Sequence, residues 1–309
     1  MGIALNGAIE QGLLYAIMAL GVYLTFRILN FPDLTVDGSF ALGGALAAKL
    51  IIDGYSPFLA TTVALLVGAC AGVFTGVLST KGKINGLLAG ILTMIALYSI
   101  NLRIMERANL PLLREETFYT WVKELGLPNL AISGVTLITG VALVFLLLVI
   151  VVKALLDWFL HTDFGLDLRA TGDNATMIRS FGANTDTTTI IGLGLSNALV
   201  AYSGALVAQY QGFADVGMGI GMIVIGLASV IVGEVLFGNS TIVRATIAVI
   251  LGSIVYRLVI AFALRAGLDP SDMKLITALI VIVALTLPNV AKGIWKKSNW
   301  TAKEEKASA

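Results

Sequence analysis

The sequence predicts an all-α polytopic membrane protein: one transmembrane domain over residues 1–309 with about eight to ten spanning helices, some short or broken. Three observations predict it. Of 309 residues, 58% are hydrophobic and only 13% charged, where a soluble domain carries about 25% charged residues. Mean hydropathy is +0.93. Several apolar runs approach the ~20 residues a helix needs to cross the hydrocarbon core.

In chain order, Met1–Glu10 is mildly amphipathic and lacks the basic region of a cleaved signal, so the first hydrophobic segment is expected to be retained. Gly12–Ile28 is the first span, stopped by Arg27 and Asn30-Phe31-Pro32-Asp33. Ser39–Ile52 is too short to cross unless the preceding turn also enters the membrane. Pro57–Leu78 and Gly86–Leu102 follow, separated by the basic turn Ser79–Lys83. Arg103–Ala131 is polar around Phe118, Tyr119 and Trp121. It reads as an aqueous excursion with an interfacial helix, since aromatic residues favour the headgroup region. Ser133–Leu156 is a near-continuous Leu/Val run, followed by the longest internal polar stretch, Asp157–Asp186. Thr187–Gln211, Gly219–Phe237, Thr241–Leu264 and Met273–Val290 complete nine spans, and the polar tail 292–309 carries five lysines.

The Lys/Arg bias favours a cytoplasmic tail. The loops at 27–38, 79–85, 157–186 and 238–240 are then cytoplasmic too, with Arg27, Lys81, Lys83, Arg169, Arg179 and Arg244. The opposite side holds fewer cations, among them Arg103, Arg107, Arg114 and Lys123. A net charge of +1 gives no basic excess for a nucleic-acid partner. Cys70 and His161 are the single residues of their types, which leaves no internal disulfide and no multi-His metal site.

The functional signal lies in the 157–186 loop. Asp173 or Asn174 is positioned to cap a short helix through Phe181, with Gly182 at the C-terminal glycine position. Met177, Ile178 and Phe181 share one face. Such a capped helix is either a docking surface or an ordinary loop helix lying on its own spans.

Gly165-Leu166-Asp167-Leu168-Arg169-Ala170-Thr171-Gly172-Asp173-Asn174 resembles the coupling loop of ABC importer permeases of the branched-chain amino acid and ribose permease superfamily. Two further blocks, Leu193–Leu206 and Asn30–Phe40, are similar to the family's small-residue helix and its early polar break, and the similarity covers most of residues 10–290. The resemblance implies a multi-pass subunit of a bacterial plasma membrane, paired with a second permease copy. An ATP-binding cassette subunit would grip the loop and an extracytoplasmic solute-binding protein would deliver substrate. The coupling residues would be Gly165, Arg169, Gly172, Asp173, Asn174, Met177, Phe181 and Gly182. ATP and Mg would be held by the partner subunit, since this chain has no phosphate-cradling Gly-x-x-x-x-Gly-Lys loop and binds no cofactor itself. Thr35-Val36-Asp37-Gly38-Ser39 departs from the branched-chain permeases. With the run Gln209–Gly219, it is similar to a subgroup for which aromatic amino acid uptake is suggested.

Polar groups within the spans are the candidate translocation path: Asp33, Asp37, Asn197, Gln209, Gln211, Asp215 and Glu234. Glycines beside Asp37 and Asp215 suggest broken helices, on opposite faces in this topology as an inverted repeat would need. The ordinary reading of the glycines is close helix packing, and that of Glu234 is an ion pair with Arg257. A secondary transporter or channel without an ATPase would explain the hydropathy equally well. It leaves the capped polar helix unexplained.

Overall fold

The computed structural model describes residues 2–113, 115–126, 130–132, 135–267, 275–280, 282 and 286. Helix α1 (Gly2–Tyr23) ends in a π-helical turn, Leu24–Ile28, and α2 covers Thr35–Ile52. The second span is therefore a full turn longer than its apolar run, because Thr35–Gly38 are helical and buried deeply enough to belong to it. Helices α3 (Pro57–Thr80) and α4 (Gly86–Met105) follow, with Ser56 and Asn85 accepting amide bonds at their N-termini.

Beyond α4 come strand β1 (Asn109–Pro111), the short helix α5 (Phe118–Glu124) and the antiparallel pair β2 (Leu130–Ile132) and β3 (Val135–Ile138). A capping box, Thr117 with Thr120, starts α5, so a helix stands where one was expected around these aromatics. The run beginning at Ser133 is not all helix, however. Its first part is strand, and α6 begins only at Gly140, where Thr139 caps it, and continues to His161.

Helices α7 (Asp163–Ser180) and α8 (Thr185–Gln211) come next, then β4 (Phe213–Asp215), α9 (Met222–Phe237) and α10 (Ile242–Arg265). β4 pairs antiparallel with β1 through Leu110 and Ala214. Among the described residues, seven helices are long and apolar enough to cross a membrane, while α9, at 16 residues, is shorter. Of the expected segment Met273–Val290, residues 275–280 are helical and most of the rest lie outside the described residues, as does the tail 292–309.

Helix α8 is the central post. Gly194, Ser196, Asn197, Ser203 and Gly204 are buried along it. Small residues let its neighbours approach to backbone contact: a Cβ on Gly72 of α3 would sit 2.1 Å from the Leu193 carbonyl oxygen, and one on Gly43 of α2 1.9 Å from that of Ala201. In lipid such close packing supplies the association that water would otherwise drive. Loops then sort to two ends. The α7 end gathers the Leu24–Ile28 turn, the α3–α4 turn and the end of α9, through Gly172 on Ile28, Gly86 on Phe31 and Arg27 with Glu234. The α5 end gathers β1, β4 and the end of α2, where Lys49 pairs with Glu106 at 3.3 Å.

Gly72→Val should lower the stability of the purified protein by about 1–3 kcal/mol or more, because the added atoms meet backbone and cannot rotate away. A thermal melt in detergent checks it, and an unchanged midpoint would contradict this packing.

Candidate functional site

Helix α7 has two halves, one packed into the fold and one more exposed. Thr162 caps the first, accepting the Gly165 amide at 3.3 Å. Leu168 is fully buried. Gly165 and Gly172 lie against backbone, their notional Cβ atoms 2.2 Å from the Phe159 oxygen and 1.9 Å from the Ile28 oxygen. Residues 165–172, which precede the expected short helix, are therefore themselves helical and anchored on α6 and the π turn. At Asn174 the backbone leaves helical geometry (φ −156°, ψ 87°), and the Asn174 side chain accepts the Met177 amide at 3.0 Å. The expected N-cap is thus present as a kink within one longer helix.

The second half ends as its glycine demands. Gly182 sits at φ +89°, while its amide and that of Ala183 bond back to Arg179 and Ile178. Arg179 pairs with Asp186 at 3.0 Å, bracing the helix end on the start of α8. Met177 (53% exposed) and Phe181 (74%) project outward, Ile178 and Arg169 are half-buried, and Asp173 is exposed. A groove of about 1010 Å³ runs beside them, lined by Lys83 and Asn85 as well as Arg179 and Asp186.

The polar residues of the spans have defined partners. Asp33 accepts the Thr35 amide at 2.9 Å and the Asn197 side-chain amide at 2.7 Å, and both side chains are buried. Asp37 accepts the amides of Gly221 (2.8 Å) and Ile223 (2.8 Å), capping α9 from 184 residues away. The two glycine-rich breaks therefore meet: Gly219 lies on the backbone of Asp37. Only their flanks, Asp33 and Asp215, sit toward opposite ends, Asp215 accepting from Asn109 beside the β1–β4 pair.

The expected Glu234–Arg257 pair is replaced, and the two span glutamines, open between helix–helix bonding and lining a path, find their places. Glu234 pairs with Arg27 at 2.9 Å, not with Arg257, whose guanidinium lies 3.7 Å from the centre of the Tyr15 ring. Glu234 and Arg27 reach the α7 end together, whereas Arg257 lies on the side of α10 that faces α1. Gln209 is buried and accepts the Phe118 amide at 2.9 Å, so it anchors α5. Gln211 ends α8 as an exposed residue, and the structure does not gather it with Asp33 or Asp37.

Sequence reasoning missed two polar clusters. Thr35, Thr75 and Thr93 link α2, α3 and α4 at 2.8 and 3.0 Å. At the α5 end, Glu10 accepts from Tyr210 at 3.0 Å and from Thr139. Burial and the Glu10 carboxylate together push the nearby Tyr119 phenol above its ordinary range. Polar residues inside apolar runs were the available signal, but threonines are common enough there to pass as packing.

Comparison with known proteins matches residues 4–286 to a family described as branched-chain amino acid transport system / permease component. The tyrosine transport system permease protein of Clostridioides difficile is 45% identical over 94% of this chain and 92% of its own length. An uncharacterized protein of Rickettsia prowazekii is 33% identical over 90% and 95%. The ribose import permease protein of Escherichia coli is 24% identical over 91% and 84%. With its spans, its anchored α7 and a family match over nearly its whole length, the chain belongs to the permease-component family of branched-chain amino acid transport systems and is the membrane permease of an ABC-type importer.

Proposed function

We propose that this permease imports an amino acid, aromatic amino acids being the favoured class, as one of two copies driven by ATP-binding cassette subunits docked on α7. One observation carries the coupling. Met177 and Phe181 are exposed apolar side chains on a helix whose other half is locked into the fold by Leu168, Gly165 and Gly172. A partner seated on them can push a lever rather than a loose loop. ATP and Mg belong to that partner, and an extracytoplasmic binding protein delivers the solute at the α5 end. The substrate class is supported by the Clostridioides difficile relative, which is named for tyrosine.

In this reading the α7 end faces the cytoplasm of a bacterial cell, with the C-terminal tail on the same side. Arg27, Lys83, Arg169, Arg179 and Arg244 support that orientation. Asp37 serves the path by holding the start of α9 inside the membrane, where alternating access needs a broken helix that keeps its amides paired.

Phe181→Ser with Met177→Ser should leave the melting temperature unchanged while cutting co-purification of the ATPase at least tenfold, about 1.4 kcal/mol of binding. Uptake driven by an ion gradient in proteoliposomes without ATP would overturn the coupling. Asp37→Ala should reduce uptake at least tenfold and lower stability, since two amides lose their acceptor. Asp37→Asn, which keeps one carbonyl acceptor, should fall between that variant and the parent in both assays. In a Cys70→Ser background, a membrane-impermeant maleimide should label Glu116→Cys in intact cells and Ser240→Cys only after permeabilisation; the reverse pattern would invert the orientation.

A further inference from the structure

A cavity of about 400 Å³ lies beside the start of α9, lined in part by Asp37, Gly38, Met94, Tyr98, Asn101 and Ile220. Its volume falls within the range of small-molecule sites. Its depth follows from α9, whose 16 residues reach about 24 Å from the α7 end at 1.5 Å each. The cavity is therefore inside a hydrocarbon core of about 30 Å.

Its polar chemistry is one-sided. Asn101 is 1% exposed and donates from Nδ2 to the Gly38 carbonyl at 3.3 Å, but its Oδ1 has no partner among the described residues. A buried acceptor left unpaired is costly, and this one belongs to a residue that lines the cavity. The next residue along from Gly38 is Asp37, whose carboxylate accepts α9 amides on both oxygens and, with about four acceptor sites, keeps capacity for a further donor. Among the described residues, no Lys, Arg or His lines the space. Met94, Ile95 and Tyr98 of α4 supply an apolar wall, with Ile95 and Ile220 exposed at the open side.

Two acceptors lining one cavity, one of them a carboxyl group, against an apolar wall fit a primary ammonium carried on an apolar body. We propose that this cavity is an intramembrane station that holds the ammonium end of the amino acid in transit, with Asn101 Oδ1 and the Asp37 carboxylate as acceptors and the side chain against Met94, Ile95 and Tyr98. The station rests on the importer reading above. It adds Asn101 and the α4 wall as specificity-determining residues.

The test uses the permease–ATPase complex in nanodiscs without the binding protein, with radiolabelled L-tyrosine as probe. Tyramine, which keeps the ammonium, should compete for binding, and 3-(4-hydroxyphenyl)propionate, which lacks it, should not. Asn101→Leu should weaken L-tyrosine binding at least tenfold. Ile95→Trp, which fills the cavity from its exposed rim and removes no hydrogen bond, should do the same without shifting the melting temperature. Equal competition by the propionate, parental binding in both variants, or no L-tyrosine binding at all would overturn the station. ATP-driven uptake with the binding protein present separates the two readings. Uptake by the parent that both variants preserve sinks the station alone, whereas absence of ATP-driven uptake of any of the twenty amino acids sinks the importer reading itself.

Discussion

Inside a bilayer no water is available to an unpaired backbone amide, and each one costs several kcal/mol. That constraint governs this molecule because its chain breaks helix within the membrane. The amides at the start of α9 are satisfied by the Asp37 carboxylate. The break before α2 is satisfied by its own geometry: the Phe31 amide reaches back to Thr25, and Asp33 takes the Thr35 amide and the Asn197 side chain. These bonds require helices closer together than ordinary side chains permit. Gly43, Gly72, Gly204 and Gly219 supply that closeness, each lying against a neighbouring carbonyl.

The same contacts join the two functional regions. Gly172 of α7 rests on Ile28, at the end of the first span. Arg27, one residue earlier, holds Glu234 near the end of α9, and the other end of α9 is held by Asp37. A displacement of α7 therefore meets the junction from which both broken elements are suspended. Packed interfaces of this kind tend to have discrete arrangements rather than continuous ones, which suits a transporter that must switch sides.

Local features of the site were legible where the responsible residues are close in the chain. Asn174 caps the helix that carries Met177, and Gly182 ends it in a left-handed turn, because both motifs span only a few residues. The helix from Asp163 to Thr171 was not legible. Its composition is polar, and it is stabilised by Leu168 entering the core, by Gly165 lying on the end of α6 and by Gly172 lying on the distant backbone of Ile28. The strands at 109–111 and 213–215 escaped notice for a related reason, since each is three residues long and exists by pairing with the other.

By itself, the sequence determined the membrane class, the succession of apolar helices and a capped polar helix bracketed by spans. Hydropathy and capping act over one helix at a time, so they can be read from one segment at a time. The tertiary structure alone decided who answers each buried polar group: Glu234 takes Arg27 rather than Arg257, Gln209 takes the backbone of α5, and Asp37 takes α9. Such pairings depend on which helices lie side by side and at what depth. Backbone contact at small residues sets that arrangement, across sequence separations that no local pattern encodes.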